Sequence, residues 1–240
     1  KLLTELVSVP DEAMEAFRLK AVKEGALPLA NNARRTLQKL NESIAGLKSR
    51  YSELVDGKTR HSEPVEFSNG SIRIQGDVDG VFDRTLVSYT VSSNHDKYRL
   101  RCYLEALMLI AGGRIDRAVF IDKKGNMEEL PVLAAIDAKR RILELMVSFE
   151  KGKKDPLLFS LNAAVHVVKK SNTPDIFKDE IEGKHPSPPN AYMMKFDEEG
   201  YLDKFRVEDY SKEDFDEAVY EELQYHEISK IASLLNIQPQ

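Results

Sequence analysis

Apolar residues change period several times along the chain, and each change predicts an element. Ile72 and Ile74 alternate with Arg73 and Gln75, and residues 78–82 and 86–91 follow as β-branched and aromatic runs. Alternation of this kind marks strands. From Asn94 the period lengthens to about 3.6. Tyr98, Leu100, Tyr103, Leu104, Leu107, Met108 and Ala111 then form one broad apolar face that Gly112 and Gly113 stop. A strand-strand-helix unit over residues 71–113 is therefore predicted as the centre of the fold.

The flanking segments carry clear signals. Residues 1–25 read as two short helices broken at Val9-Pro10, a connector to a preceding region, because the residue before proline disfavours the helical conformation. Leu37, Leu40, Ile44, Leu47, Tyr51 and Leu54 recur at three-four spacing and predict one long amphipathic helix ending at Asp56-Gly57. Val65, Phe67 and Asn69-Gly70 predict a hairpin into Ile72, and residues 114–130 predict a second one with the basic tip Lys123-Lys124-Gly125-Asn126. After Pro131 a helix is expected to bury Leu133, Ile136, Ile142, Leu143, Met146, Val147 and Phe149 before ending at Gly152.

Residues 157–159 and 163–168 read as short elements. Residues 170–190, with the tract His185-Pro186-Ser187-Pro188-Pro189, have no period and read as a mobile loop. The acidic tail contains a helix start at Ser211 and Asp214, with Phe215, Val219 and Leu223 facing inward. The expected organisation is a helical connector over 1–25 and one domain over 26–240.

Composition narrows the class. At 240 residues, 42% hydrophobic and 31% charged, the chain is long enough to bury about 70–75% of its unfolded surface. No apolar run approaches the roughly 20 residues of a membrane helix, and neither that nor a signal peptide is expected. The single cysteine, Cys102, reads as a small packed hydrophobe in a reducing, cytoplasmic setting. The sequence opens on Lys1 within a helix-like pattern and reads as part of a longer polypeptide. A net charge of −5 argues against a surface that grips nucleic acid everywhere, while leaving room for a local basic face.

Candidate chemistry centres on Asp77, Asp79 and Asp83, whose alternation on one strand would aim three carboxylates at a hard cation. A working magnesium-dependent nuclease would also need a second acid and a lysine. The next strand offers Ser88 and Thr90, neither of which supplies that charge. The five histidines lack zinc-site spacing, and phosphate-loop, dinucleotide and serine-hydrolase motifs are absent, so no catalytic residue, metal or cofactor is assigned. Arg114, Arg117, Lys123 and Lys124 on the second hairpin, with Lys97, Arg99 and Arg101 beside Tyr98 and Tyr103, could meet a DNA backbone; Arg117, Lys123 and Lys124 are the chosen candidates. Such residues also simply solubilise hairpins and helix faces.

Glu24-Gly25-Ala26-Leu27-Pro28, Ile74-Gln75-Gly76, the run 100–113 and Pro156-Leu157-Leu158 occur in an order that resembles the RecC C-terminal domain family, from the gamma subunit of exodeoxyribonuclease V. The resemblance weakens after about Lys170. It implies an α/β fold of the PD-(D/E)xK nuclease type, a mixed sheet flanked by helices. Active members carry an aspartate in a G-x-I-D pattern, matched here at Asp79, and then an acid and a lysine where this chain has Ser88 and Thr90. The resemblance thus implies a non-catalytic domain, with Asp79 as a remnant, that scaffolds RecB-like and RecD-like subunits and guides or splits duplex or forked DNA. Two alternatives stand beside it: an active exonuclease using Asp79 with a relocated lysine such as Lys97, and a protein-interaction module without DNA contact.

Overall fold

A computed structural model describes residues 1–29, 31–93, 95–154, 164 and 225–236. The chain divides into two compact units, Lys1–Lys139 and Arg140–Gln240. In the first, α1 (Leu2–Val7), a single 3₁₀ turn (Asp11–Ala13), α2 (Met14–Lys23), α3 (Asn31–Ser43) and α4 (Ala45–Val55) precede strands β1 (Arg60–Ser68), β2 (Arg73–Phe82) and β3 (Thr85–Tyr89). Helix α5 (Asp96–Ala111), strands β4 (Arg117–Ile121) and β5 (Met127–Glu129), and the start of α6 (Ala135–Lys154) complete it. The described part of the second unit holds the rest of α6 and α7 (Tyr225–Leu234). The expected short elements at 157–159 and 163–168, the loop at 170–190 and the tail helix at 211–223 lie outside the described residues, apart from Ala164.

The strands form one mixed sheet in the order β1-β2-β3-β4-β5. Only β3 and β4 run parallel, joined through α5 as a parallel pair requires. Strand alternation gives the sheet two different faces. Phe82, Val87, Val119 and Ile121 share a core with Leu6, Val7, Ala21, Leu27, Ala33, Leu37, Ile44, Leu47 and Tyr51 of the N-terminal helices. On the other face Leu86, Ala118 and Phe120 are buried where Cys102, Tyr103, Ala106 and Leu107 of α5 are buried. The 1–25 segment thus contributes side chains to the core that covers the sheet.

Local chemistry explains the boundaries. Pro10 separates α1 from the next turn, and α5 ends in a left-handed Gly113 at φ +65°, with Arg114 N–H donating to Leu109 O at 2.9 Å. The helix begins at Asp96, two residues beyond the expected start. Asp83 and Arg84, at φ 43° and 62°, form the two-residue turn between β2 and β3, the left-handed pair that matches strand twist. The Arg84 side chain then bonds Asp116 and the Gly113 carbonyl, pinning the turn to the loop before β4.

Three expectations are corrected. The predicted helix over residues 37–54 is two helices: Ile44 leaves helical geometry at φ −124°, ψ 14°, and at this break the backbone of Gly46 meets the tip of the β4–β5 hairpin. A Cβ on Gly46 would lie 2.4 Å from Lys124 O, so the break and the glycine together admit the hairpin. Asp83 belongs to the turn rather than to an alternating strand face. In α6, Ile136, Leu143, Val147 and Phe149 are exposed while Ala138, Ile142 and Met146 are buried, and the helix continues past Gly152 to Lys154. Several apolar residues there lie off the buried stripe, so counting them overstated its width.

Because the atoms facing Gly46 are backbone and cannot rotate away, Gly46→Ala is expected to destabilise the protein by about 2 kcal/mol, read as a lowered urea midpoint at unchanged m.

Candidate functional site

Asp79 lies near the end of β2, just before a bulge. His61 pairs with Val81 and Ser62 with Asp79, which leaves Gly80 as the extra residue, and its φ of +85° is one that glycine adopts without strain. The bulge bends the strand so that the Gly80 N–H donates to Asp79 Oδ1 at 2.7 Å. Arg60, at the start of β1, closes the site with a fork: its Nε donates to Asp79 Oδ1 at 3.0 Å and a terminal nitrogen donates to Oδ2. Ser62 adds a hydroxyl bond to the same carboxylate.

These donors set the charge state. Partial burial works to raise the Asp79 pKa, but the Arg60 guanidinium and the Gly80 N–H outweigh it and hold the carboxyl below its ordinary range. Hydrogen bonding to Asp79 raises the Arg60 pKa in turn. Tyr51 and Tyr89 pack edge to face at 5.1 Å between ring centroids, and burial raises both phenols while the charges of Arg60 and Asp79 act on them in opposite senses. The Tyr89 hydroxyl donates to Thr4 O at 3.0 Å. Asp79 therefore belongs to the sheet face covered by the N-terminal helices.

Ser88 looks the other way. Ser88 neighbours Tyr89 on the strand, so its side chain points to the opposite face, where it hydrogen-bonds Cys102 of α5. Thr90 follows β3, is buried, and its hydroxyl oxygen accepts from Ser92 N–H at 3.1 Å. Asp79 and Ser88 thus lie on opposite faces of the sheet. Asp77 is exposed on β2 and borders an open groove of about 920 Å³ that Glu66, Met108, Arg114 and Lys139 also line. Among the described residues, no group of three His, Cys, Asp or Glu side chains is placed to hold a metal. Burial pushes the Cys102 thiol up to about 12, which keeps it protonated and unreactive.

The basic candidates divide into two kinds. Arg117 forks onto Glu129 across the β4–β5 hairpin, Arg99 onto Glu128 and Arg114 reaches Glu63. Those guanidinium charges are internally balanced. Lys124 is exposed and Lys123 half-buried at the tip, which a turn built on Asp122 organises: its carboxylate accepts from the N–H groups of Lys124 and Asn126 at 2.8 and 2.9 Å. Lys97 stands 4.9 Å from the Tyr98 ring centroid. Arg60 was missed in the sequence, although its place opposite the end of β2 follows from closing the first hairpin.

Residues 1–172 match the RecC C-terminal domain family. The chain belongs to the RecC C-terminal domain family. No curated protein matches it. As a RecC C-terminal domain, the chain has a mixed α/β architecture with a five-stranded mixed sheet, and among the described residues no helix is long and apolar enough to cross a membrane.

Asp79 gains its stabilising partner on folding, so its contribution is present above the ordinary value of 3.8 and fades as pH falls through the lower folded value. Both side chains are about half exposed, so Asp79→Asn should cost only about 0.5 kcal/mol at pH 7. Denaturation curves of variant and wild type are expected to converge below the carboxylate range; a gap that persists there would show that Arg60 stabilises without the charge.

Proposed function

We propose that this chain is the non-catalytic, nuclease-like domain of an exodeoxyribonuclease V gamma subunit, with a degenerate PD-(D/E)xK frame. In this reading it works in the RecBCD complex in double-strand-break repair and recombination, scaffolding RecB-like and RecD-like subunits and guiding or splitting duplex or forked DNA. Family membership supports the assembly. The observation that carries the absence of chemistry is the Arg60–Asp79 fork. A carboxylate that would bind a divalent cation in an active nuclease is neutralised here by an arginine from the neighbouring strand.

A metal would have to displace that guanidinium and would find no second carboxylate at Ser88, on the other sheet face, and no lysine at Thr90. Lys97 belongs to α5, which packs on the face opposite Asp79, and this speaks against its taking the lysine's part. Asp79 in this reading is a structural remnant. Contact with DNA falls to positive groups that no ion pair engages, and at the hairpin these are Lys123 and Lys124.

The purified chain is expected to release no nucleotides from linear duplex DNA with magnesium or manganese. Cleavage that Asp79→Ala abolishes would overturn the reading. Lys123→Glu with Lys124→Glu should weaken binding to a forked duplex and lower the slope of log affinity against log salt by about 0.9 for each phosphate no longer neutralised.

A further inference from the structure

Among the described residues almost all arginines have partners. Arg35 makes no ion pair, hydrogen bond or other electrostatic contact among the described residues and Arg34 acts only at a distance, on Glu15, while every other described arginine has a direct or electrostatic partner. Arg34 lies near enough to Glu15 to act on its carboxyl, but both Glu15 oxygens are already bonded to Arg18. Arg34 and Arg35 are adjacent, exposed and carried on α3, the helix that buries Ala33 and Leu37 and turns a wholly polar side outward.

That outward side is rich in donors. Arg35 and Lys39 are one turn apart, Arg34 and Gln38 form the neighbouring row, and Asn31 and Asn32 open the helix. From Asn31 to Lys39 the helix rises about 12 Å, at about 1.5 Å per residue. Glu42, in the last turn, is the one acid on α3, and its carboxylate accepts from Gln38 Nε2 at 2.9 Å. Just past α3, Gly46 abuts the backbone of Lys124, which sets the basic hairpin tip against the α3–α4 junction.

We infer that the exposed face of α3, with Arg34, Arg35 and Lys39 at its centre, is a docking surface for a nucleic-acid phosphate backbone. The inference rests on the reading of this domain as one that contacts DNA, and it names the surface. An acidic protein segment would also attract the arginines. The mixture of guanidinium, ammonium and side-chain amides is, however, the set that phosphate backbones draw on. Three cations within about 12 Å match the charge density of a duplex, which presents one phosphate per strand every 3.4 Å or so along its axis.

The test uses the whole chain and a fluorescein-labelled forked duplex, followed by anisotropy across a salt series. Arg34→Glu with Arg35→Glu should lower the slope of log affinity against log salt by about 1.8, two phosphates at about 0.9 each, and Arg34→Gln with Arg35→Gln should do the same without adding negative charge. Neither pair removes a bond the folded chain makes, so circular dichroism and thermal midpoint should stay at wild-type values. Unchanged affinity and slope in both variants would overturn the inference. So would wild-type binding to polyglutamate as tight as binding to the duplex. If the Lys123/Lys124 substitutions weaken binding while the arginine variants do not, the surface named here fails and the proposed function stands. A wild-type chain that binds no DNA at low salt fails both.

Discussion

The parallel pairing of β3 with β4 is the constraint from which the rest of the first unit follows. Neighbouring parallel strands cannot be joined by a tight turn, so a helix must cross between them, and the pair is then buried on both sides. Leu86, Val87, Ala118, Val119, Phe120 and Ile121 are all buried, alternating between two cores. Helix α5 supplies one cover, and α1 to α4 supply the other. The N-terminal helices are as necessary to the sheet as the crossover, because without them Val87, Val119, Ile121 and Phe82 would face water.

Two covers also decide what the carboxylate at Asp79 can do. Alternation along β3 commits Tyr89 to one cover and Ser88 to the other, and the Gly80 bulge places Asp79 on the Tyr89 side. Residues that a linear pattern sets side by side thus end on opposite sides of a sheet. Arg60 fills the space beside the carboxylate, and a guanidinium there gives the neutralisation a cation would give without its Lewis acidity. The arrangement keeps a carboxylate on a partly exposed strand at modest cost.

Much of this order was legible in the sequence. Pro10, Asn69-Gly70, Gly112-Gly113 and the turn at Lys123-Lys124-Gly125-Asn126 act through backbone chemistry that is local, and each bounds an element as expected. What escaped depends on contacts distant in the chain. The periodicity over residues 37–54 survives across Ile44 because both helices turn their apolar side to one core, so pattern alone reads them as one. Asp83 alternates with Asp79 by count, yet the Gly80 bulge and the two-residue turn remove it from the strand. Arg117 looked like a free cation until the β5 register set Glu129 beside it.

Charge distribution follows the same logic of pairing. An acidic chain that balances its strand and hairpin arginines with carboxylates uses its positive charge to fix registers: Arg60 to Asp79 ties β1 to β2, Arg117 to Glu129 ties β4 to β5, and Arg84 to Asp116 ties a turn to a loop. Each such pair has little field left at the distance of a partner, since a screened dipole falls off faster than a lone charge. The long-range field toward a polyanion must then come from cations that no carboxylate balances. On α3 these stand on a helix whose apolar side is already committed to the core, so the polar face carries no folding role that would conflict with recognition. A surface free of structural duty and rich in unmatched charge is where an otherwise acidic domain can meet phosphate.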